Sequence, residues 1–69
     1  METQEARLYS NSRLIHNVNL LSGDEELDEI FINENGTMTV QVLNTVYKDD
    51  SSYDIEVREY HNITRISFK

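Results

Sequence analysis

The sequence predicts a small, mainly β domain: one antiparallel β-meander of four to five strands, with room for one short helix in a β-rich α+β arrangement. Three observations carry that expectation. Tyr53, Ile55 and Val57 alternate with Asp54, Glu56 and Arg58, the period of a strand with one covered face. Asn35-Gly36 sits between two runs rich in β-branched and aromatic residues, the strongest short-range signal for a hairpin. Asp49-Asp50-Ser51-Ser52 separates two further apolar runs with residues that bond their own backbone and so favour turns.

In chain order, residues 1–6 are expected to fray, because they lack an apolar pattern and lie at a terminus. From Ala6 to Leu21 two patterns compete. Leu14, His16, Val18 and Leu20 alternate as in a strand, whereas Leu8, Leu14, Ile15, Val18 and Leu21 suit a helical stripe. Asn11, Asn17 and Asn19 lower helix propensity, which favours a strand over about Leu14–Leu21. Ser22-Gly-Asp-Glu25 has the spacing of a helix capping box and places the short helix near Asp24–Leu27.

Next come Asp28–Asn33 and Thr37–Leu43, the latter running on through Val46 and Tyr47. With Asn35 and Gly36 both central to a two-residue type I′ turn, Phe31 lies opposite Val40. Phe31 then shares a face with Met38, Val40 and Val42, and Ile30 and Ile32 take the other side. The last hairpin turns at His61-Asn62, which sets Val57 opposite Ile66 and Ile55 opposite Phe68 and closes an apolar face.

A single domain of 69 residues has little core to work with. Chains of about 60 residues bury only ~60% of the surface exposed on unfolding, and small folds are commonly reinforced by disulfides, metals or association. No cysteine is present, so disulfides and thiolate metal sites are excluded, and a homodimer becomes a natural expectation. The first residues lack the apolar run of about 7–15 residues that marks a signal peptide. No stretch approaches the roughly 20 apolar residues of a membrane-spanning helix. A cytoplasmic protein with no membrane partner is expected. Two glycosylation sequons, at Asn35 and Asn62, carry no weight in that setting. Phe, Tyr, Met, Ile, Asn and Lys make up 23 residues against 7 of Gly, Ala, Arg and Pro. That is the codon bias of an AT-rich genome, which many bacteria, phages and mobile elements share.

The net charge of −7 is concentrated. Asp24, Glu25, Glu26, Asp28, Glu29 and Glu34 fall within twelve residues that contain no base. Six scattered Lys and Arg make no basic stripe, which argues against direct nucleic-acid binding, since that depends on neutralising phosphates.

Catalytic motifs are lacking. His16 and His61 show no zinc-binding spacing, and two glycines cannot supply a phosphate loop, a dinucleotide fingerprint or a nucleophile elbow. Phe31–Val42 offers Asn33, Asn35 and Gly36 at calcium-loop positions. It lacks the first and twelfth acidic ligands, and a hairpin turn accounts for those residues better. No catalytic residue, metal site or cofactor is expected.

The function expected is a non-catalytic protein-binding module. In its sharper form it is a phage- or mobile-element-type inhibitor, whose acidic residues occupy a basic, nucleic-acid-binding surface on a target enzyme in the manner of a DNA mimic. The candidate partner-binding residues are the six acids above, with Tyr47 and Tyr60 as aromatic anchors, since tyrosine is enriched at interfaces. The competing explanations are a solvated acidic face and ordinary cross-strand packing of the tyrosines. The alternative function is a structural homodimer or assembly subunit joined through sheet edges, or through an apolar face around Ile30, Ile32 and Leu43.

Overall fold

The computed structural model describes residues 3–69. Six strands are formed among them: β1 (Glu5–Ser10), β2 (Arg13–Asn19), β3 (Glu25–Ile32), β4 (Met38–Tyr47), β5 (Tyr53–Ile63) and β6 (Arg65–Phe68). They make two three-stranded antiparallel sheets, ordered β2-β1-β6 and β3-β4-β5. The mainly β expectation holds; the single meander does not, because β6 joins the first sheet instead of folding back on β5.

Burial explains the division. Ala6, Leu8 and Val18 from the first sheet meet Val40, Val42 and Ile63 from the second, and all six are fully buried. Leu20, Leu27, Met38, Tyr60 and Ile66 pack around them. The alternation along β1 places Ala6 and Leu8 inward and Arg7 outward. Glu5 and Ala6 are therefore part of the fold, contrary to the expected fraying; for positions 1 and 2 that expectation lies outside the described residues. β1 and β2 join through a tight turn at Asn11-Ser12, with Asn11 at φ 57°, a conformation asparagine tolerates better than most residues. The alternation of Leu14, His16 and Val18 is that of a strand, as expected, although β2 ends at Asn19.

No helix forms among the described residues. A capping box would aim Ser22 Oγ at the third helical N–H, that of Glu25. Instead Ser22 Oγ accepts from Asp24 N at 3.2 Å, Asn19 Oδ1 accepts from Leu21 N, and Gly23 takes φ 78°. These local bonds build a turn, and Glu25 onward extends as β3.

The β3–β4 turn corrects the predicted register. Asn33 N donates to Thr37 O and Gly36 N donates to Asn33 O, which leaves a three-residue loop with Gly36 at φ 87° and Asn35 outside the left-handed region. The two-residue type I′ turn needed both residues there. With one more loop residue, Ile30 pairs with Val40 and Phe31 with Thr39, so every side chain of the pair changes face. Ile30 and Ile32 share the side of Val40, and Phe31 takes the opposite side.

The β5–β6 hairpin is also corrected. β5 runs beside β4 from Tyr53 opposite Tyr47 to Tyr60 opposite Val40; the register then shifts by one residue before Ile63 pairs with Met38. Asn62, at φ 59°, sits in that bulge and does not close a hairpin. Beyond it the chain crosses to the first sheet, where Leu8 pairs with Ile66 and Ala6 with Phe68. Thr64 holds the crossing: its N–H donates to Tyr9 O at 2.8 Å, and its Oγ1 accepts from Asn11 N at 2.7 Å. Bulges are a common means for one strand to serve two sheets.

Replacing Leu8 with Ala should cost about 2–5 kcal/mol, a large part of the ~5–15 kcal/mol typical of a domain. Asn62→Val should cost roughly 1–2 kcal/mol, because a β-branched residue resists positive φ, and Asn62→Gly should stay within about 0.5 kcal/mol of the parent. Urea unfolding followed by circular dichroism measures all three.

Candidate interaction surface

The bulge that precedes the crossing from β5 to β6 decides which way β5 faces. Tyr60 pairs with Val40, on the core side, so Tyr53, Ile55 and Val57 point to the outside of the second sheet. There Val57 lies opposite Leu43, Ile55 opposite Thr45 and Tyr53 opposite Tyr47. Phe31 adds to this face from β3, beside Thr39. Val57 is 57% exposed and Tyr47 68%, and no strand of the first sheet covers this side. The result is an apolar and aromatic stripe on open sheet.

Acids border the stripe. Glu26 pairs with Leu43 on one side and Glu59 with Gln41 on the other, both exposed. Between Leu27 and Ile30 the register shifts, so Asp28 and Glu29 together oppose Gln41 at the free edge of β3. The bulge interrupts the ladder and brings two exposed acids to the edge strand, and both features are known protections of sheet edges. Glu34 is exposed in the β3–β4 loop.

The predicted site residues thus divide. Glu26, Asp28, Glu29 and Glu34 make no side-chain hydrogen bond or ion pair among the described residues and lie along one side of the second sheet. Asp24 accepts a hydrogen bond from the Tyr47 hydroxyl at 3.1 Å, which raises the Tyr47 pKa above its ordinary value, with the carboxylate's charge acting in the same direction. Tyr47 and Tyr53 rings are tilted with centroids 6.4 Å apart. Asp24, Tyr47 and Tyr53 therefore form one cluster at the end of the stripe.

Glu25 and Tyr60 are engaged elsewhere. His16 Nε2 lies 2.7 Å from Glu25 Oε2, and the His16 ring stacks on Tyr60 with centroids 4.6 Å apart and planes 11° from parallel. This half-buried trio ties β2, β3 and β5 together across the sheets. Tyr60 is hence a packing residue and no exposed anchor. His61 shares a 3.2 Å hydrogen bond with the Thr39 hydroxyl, and Asn33 donates to Thr37 Oγ1 and Thr39 Oγ1. Among the described residues no group of three or more His, Asp or Glu is placed to hold a metal ion, and no helix is long and apolar enough to cross a membrane.

Ile55 and Val57 are surface residues that the sequence pattern does not reveal. Their alternation is the signal of a buried face, and only the bulge at Asn62, five residues on, turns them outward. The apolar group expected around Ile30, Ile32 and Leu43 is divided by the register change, since Leu43 faces away from the two isoleucines. No protein-family model matches the chain, and no curated protein or solved structure matches it.

The far end of the stripe depends on the β4–β5 turn. The Asp49 carboxylate accepts from Ser51 N and Ser52 N, both at 2.9 Å, and from Ser51 Oγ. These bonds, that from Ser51 N first, hold its pKa below the usual 3.8. A pKa depressed by folding contributes stability that is full above the unfolded value and is lost as pH falls through the folded one. The destabilisation caused by Asp49→Asn should therefore be largest near neutral pH and shrink below pH 3.8. Urea titrations of both proteins across that range check this.

Proposed function

We propose that the protein is a non-catalytic binding module that docks on a protein with a basic surface through the outer face of its second sheet. The observation that carries this reading is the open stripe of Phe31, Leu43, Tyr47, Tyr53, Ile55 and Val57, bordered by Asp24, Glu26, Asp28, Glu29 and Glu59. An exposed apolar patch with a polar rim is the common form of a protein interaction site. Hydrophobic centre and charged rim divide the labour: the centre supplies contact area, and the rim steers approach and rejects acidic partners.

Among the described residues the rim contains no base of its own. Lys48 is drawn to Asp54 at 2.9 Å, and Arg58 lies on the other side of β5 beside Glu56. A target that surrounds an apolar pocket with Lys and Arg is complementary to such a surface. Proteins that bind nucleic acid carry the most basic surfaces, and for such a target this module acts as an inhibitor by covering the phosphate-binding region. Direct binding to nucleic acid is disfavoured by the same carboxylates.

The test is affinity capture from bacterial lysate with the tagged protein, washed at low and then high salt. A specific partner with a basic surface, released by salt, is the expected result. Glu26→Lys combined with Glu29→Lys should abolish capture, and Tyr47→Ala should weaken it about tenfold or more, as for an aromatic anchor. Capture that is indifferent to salt and to the lysine pair would contradict the electrostatic rim.

A further inference from the structure

The four sheet edges differ in how they are protected. β2 carries an extra residue, Ile15, where its register with β1 shifts between Leu8 and Tyr9. β3 has the Asp28-Glu29 bulge. β6 is only four residues long. Bulges and short strands are the usual means by which edges avoid pairing with other chains. Along Tyr53–Tyr60, before the bulge at Asn62, β5 has neither: its register with β4 is unbroken there, its other edge pairs with no strand among the described residues, and every residue from Tyr53 to Glu59 is exposed.

Charge decides what can pair there. On the inner face β5 presents Asp54, Glu56, Arg58 and then Tyr60; on the outer face it presents Tyr53, Ile55, Val57 and Glu59. Two identical strands meeting antiparallel about a two-fold axis must place some residue opposite its own copy. An axis at Ile55 sets Asp54 against Glu56 twice. An axis at Glu56 sets Glu56 against itself. An axis at Val57 sets Glu56 against Arg58 twice and Val57 against Val57, with Asp54 opposite Tyr60 and Ile55 opposite Glu59. Only the last register joins opposite charges without facing two acids directly, and directly opposed pairs are the unit of sheet stabilisation.

We infer that β5 is a self-association edge, pairing with β5 of a second copy of this chain in the register centred on Val57, so that a continuous six-stranded sheet forms. The two outer stripes then lie side by side as one acidic-rimmed platform. The inference is independent of the partner proposed above, because it needs no other protein.

The native chain has no cysteine, which allows a direct register test. Val57→Cys places two thiols opposite each other with Cα atoms about 4.5–5.5 Å apart, within disulfide range, whereas Ile55→Cys faces Glu59 of the second copy. Mild oxidation should convert Val57→Cys to a covalent species of twice 8.1 kDa and leave Ile55→Cys largely monomeric. In sedimentation equilibrium of the cysteine-free protein, Arg58→Glu should weaken dimerisation about tenfold or more. The double exchange Glu56→Arg with Arg58→Glu should restore it. Glu26→Lys with Glu29→Lys should leave it unchanged, which separates failure here from failure of the docking proposal. A monomer at all concentrations, equal crosslinking at both positions, or a dimer indifferent to the charge exchange would each overturn the inference.

Discussion

The extra residue at Asn62 is the constraint on which the rest of the molecule depends. In an unbroken strand Tyr60 and Ile63 point to opposite faces, because side chains alternate. Only with one additional residue opposite Thr39 can both turn inward, Tyr60 onto His16 and Ile63 into the core. Burying both fixes β5 with Asp54, Glu56 and Arg58 on the inner side and Ile55 and Val57 on the outer side. The same bend sends the chain toward β1, where Thr64 fastens it to Tyr9 and Asn11.

From that bend follow both the core and the surface. The core is confined to the region where β1, β2 and β6 lie over β4, around Leu8, Val18, Val40, Val42 and Ile63. Away from it, the β4–β5 ladder continues to the Asp49–Ser52 turn with the faces of β5 exposed. Apolar residues on open sheet beside concentrated carboxylates are the common ground of the proposed docking face and the proposed β5 edge.

The sequence made local structure legible and left long-range structure hidden. Alternation over Tyr53–Arg58, the Asp49–Ser52 turn and the run from Met38 through Tyr47 each depend on neighbours in the chain, and each corresponds to an observed element. The acidic segment was equally plain, although His16 capturing Glu25 and Tyr47 capturing Asp24 required the tertiary fold. Asn-Gly announced a hairpin but not its loop length, and one residue in that length moved Phe31 and the isoleucines to opposite faces. His61-Asn62 resembles a tight turn because asparagine suits positive φ; in the fold that same property serves a bulge. The partner of β6 is Leu8 and Ala6, more than fifty residues away, and nothing in the local pattern names it. β1 is hard to read from the sequence although Asn11-Ser12 between Leu8 and Leu14 is a turn signal, because the helical stripe through Leu8 competes with it.

The pairing of β6 with β1 leaves β5 with an open edge and turns its apolar side chains outward. Cross-strand nuclear Overhauser contacts between backbone protons decide the matter in one experiment on the unmodified protein. Contacts linking Leu8 with Ile66 and Ala6 with Phe68, and none between Val57 and Ile66, are predicted. Contacts joining Val57 with Ile66 and Ile55 with Phe68 would show a simple terminal hairpin that covers the stripe and leaves β5 with no open edge.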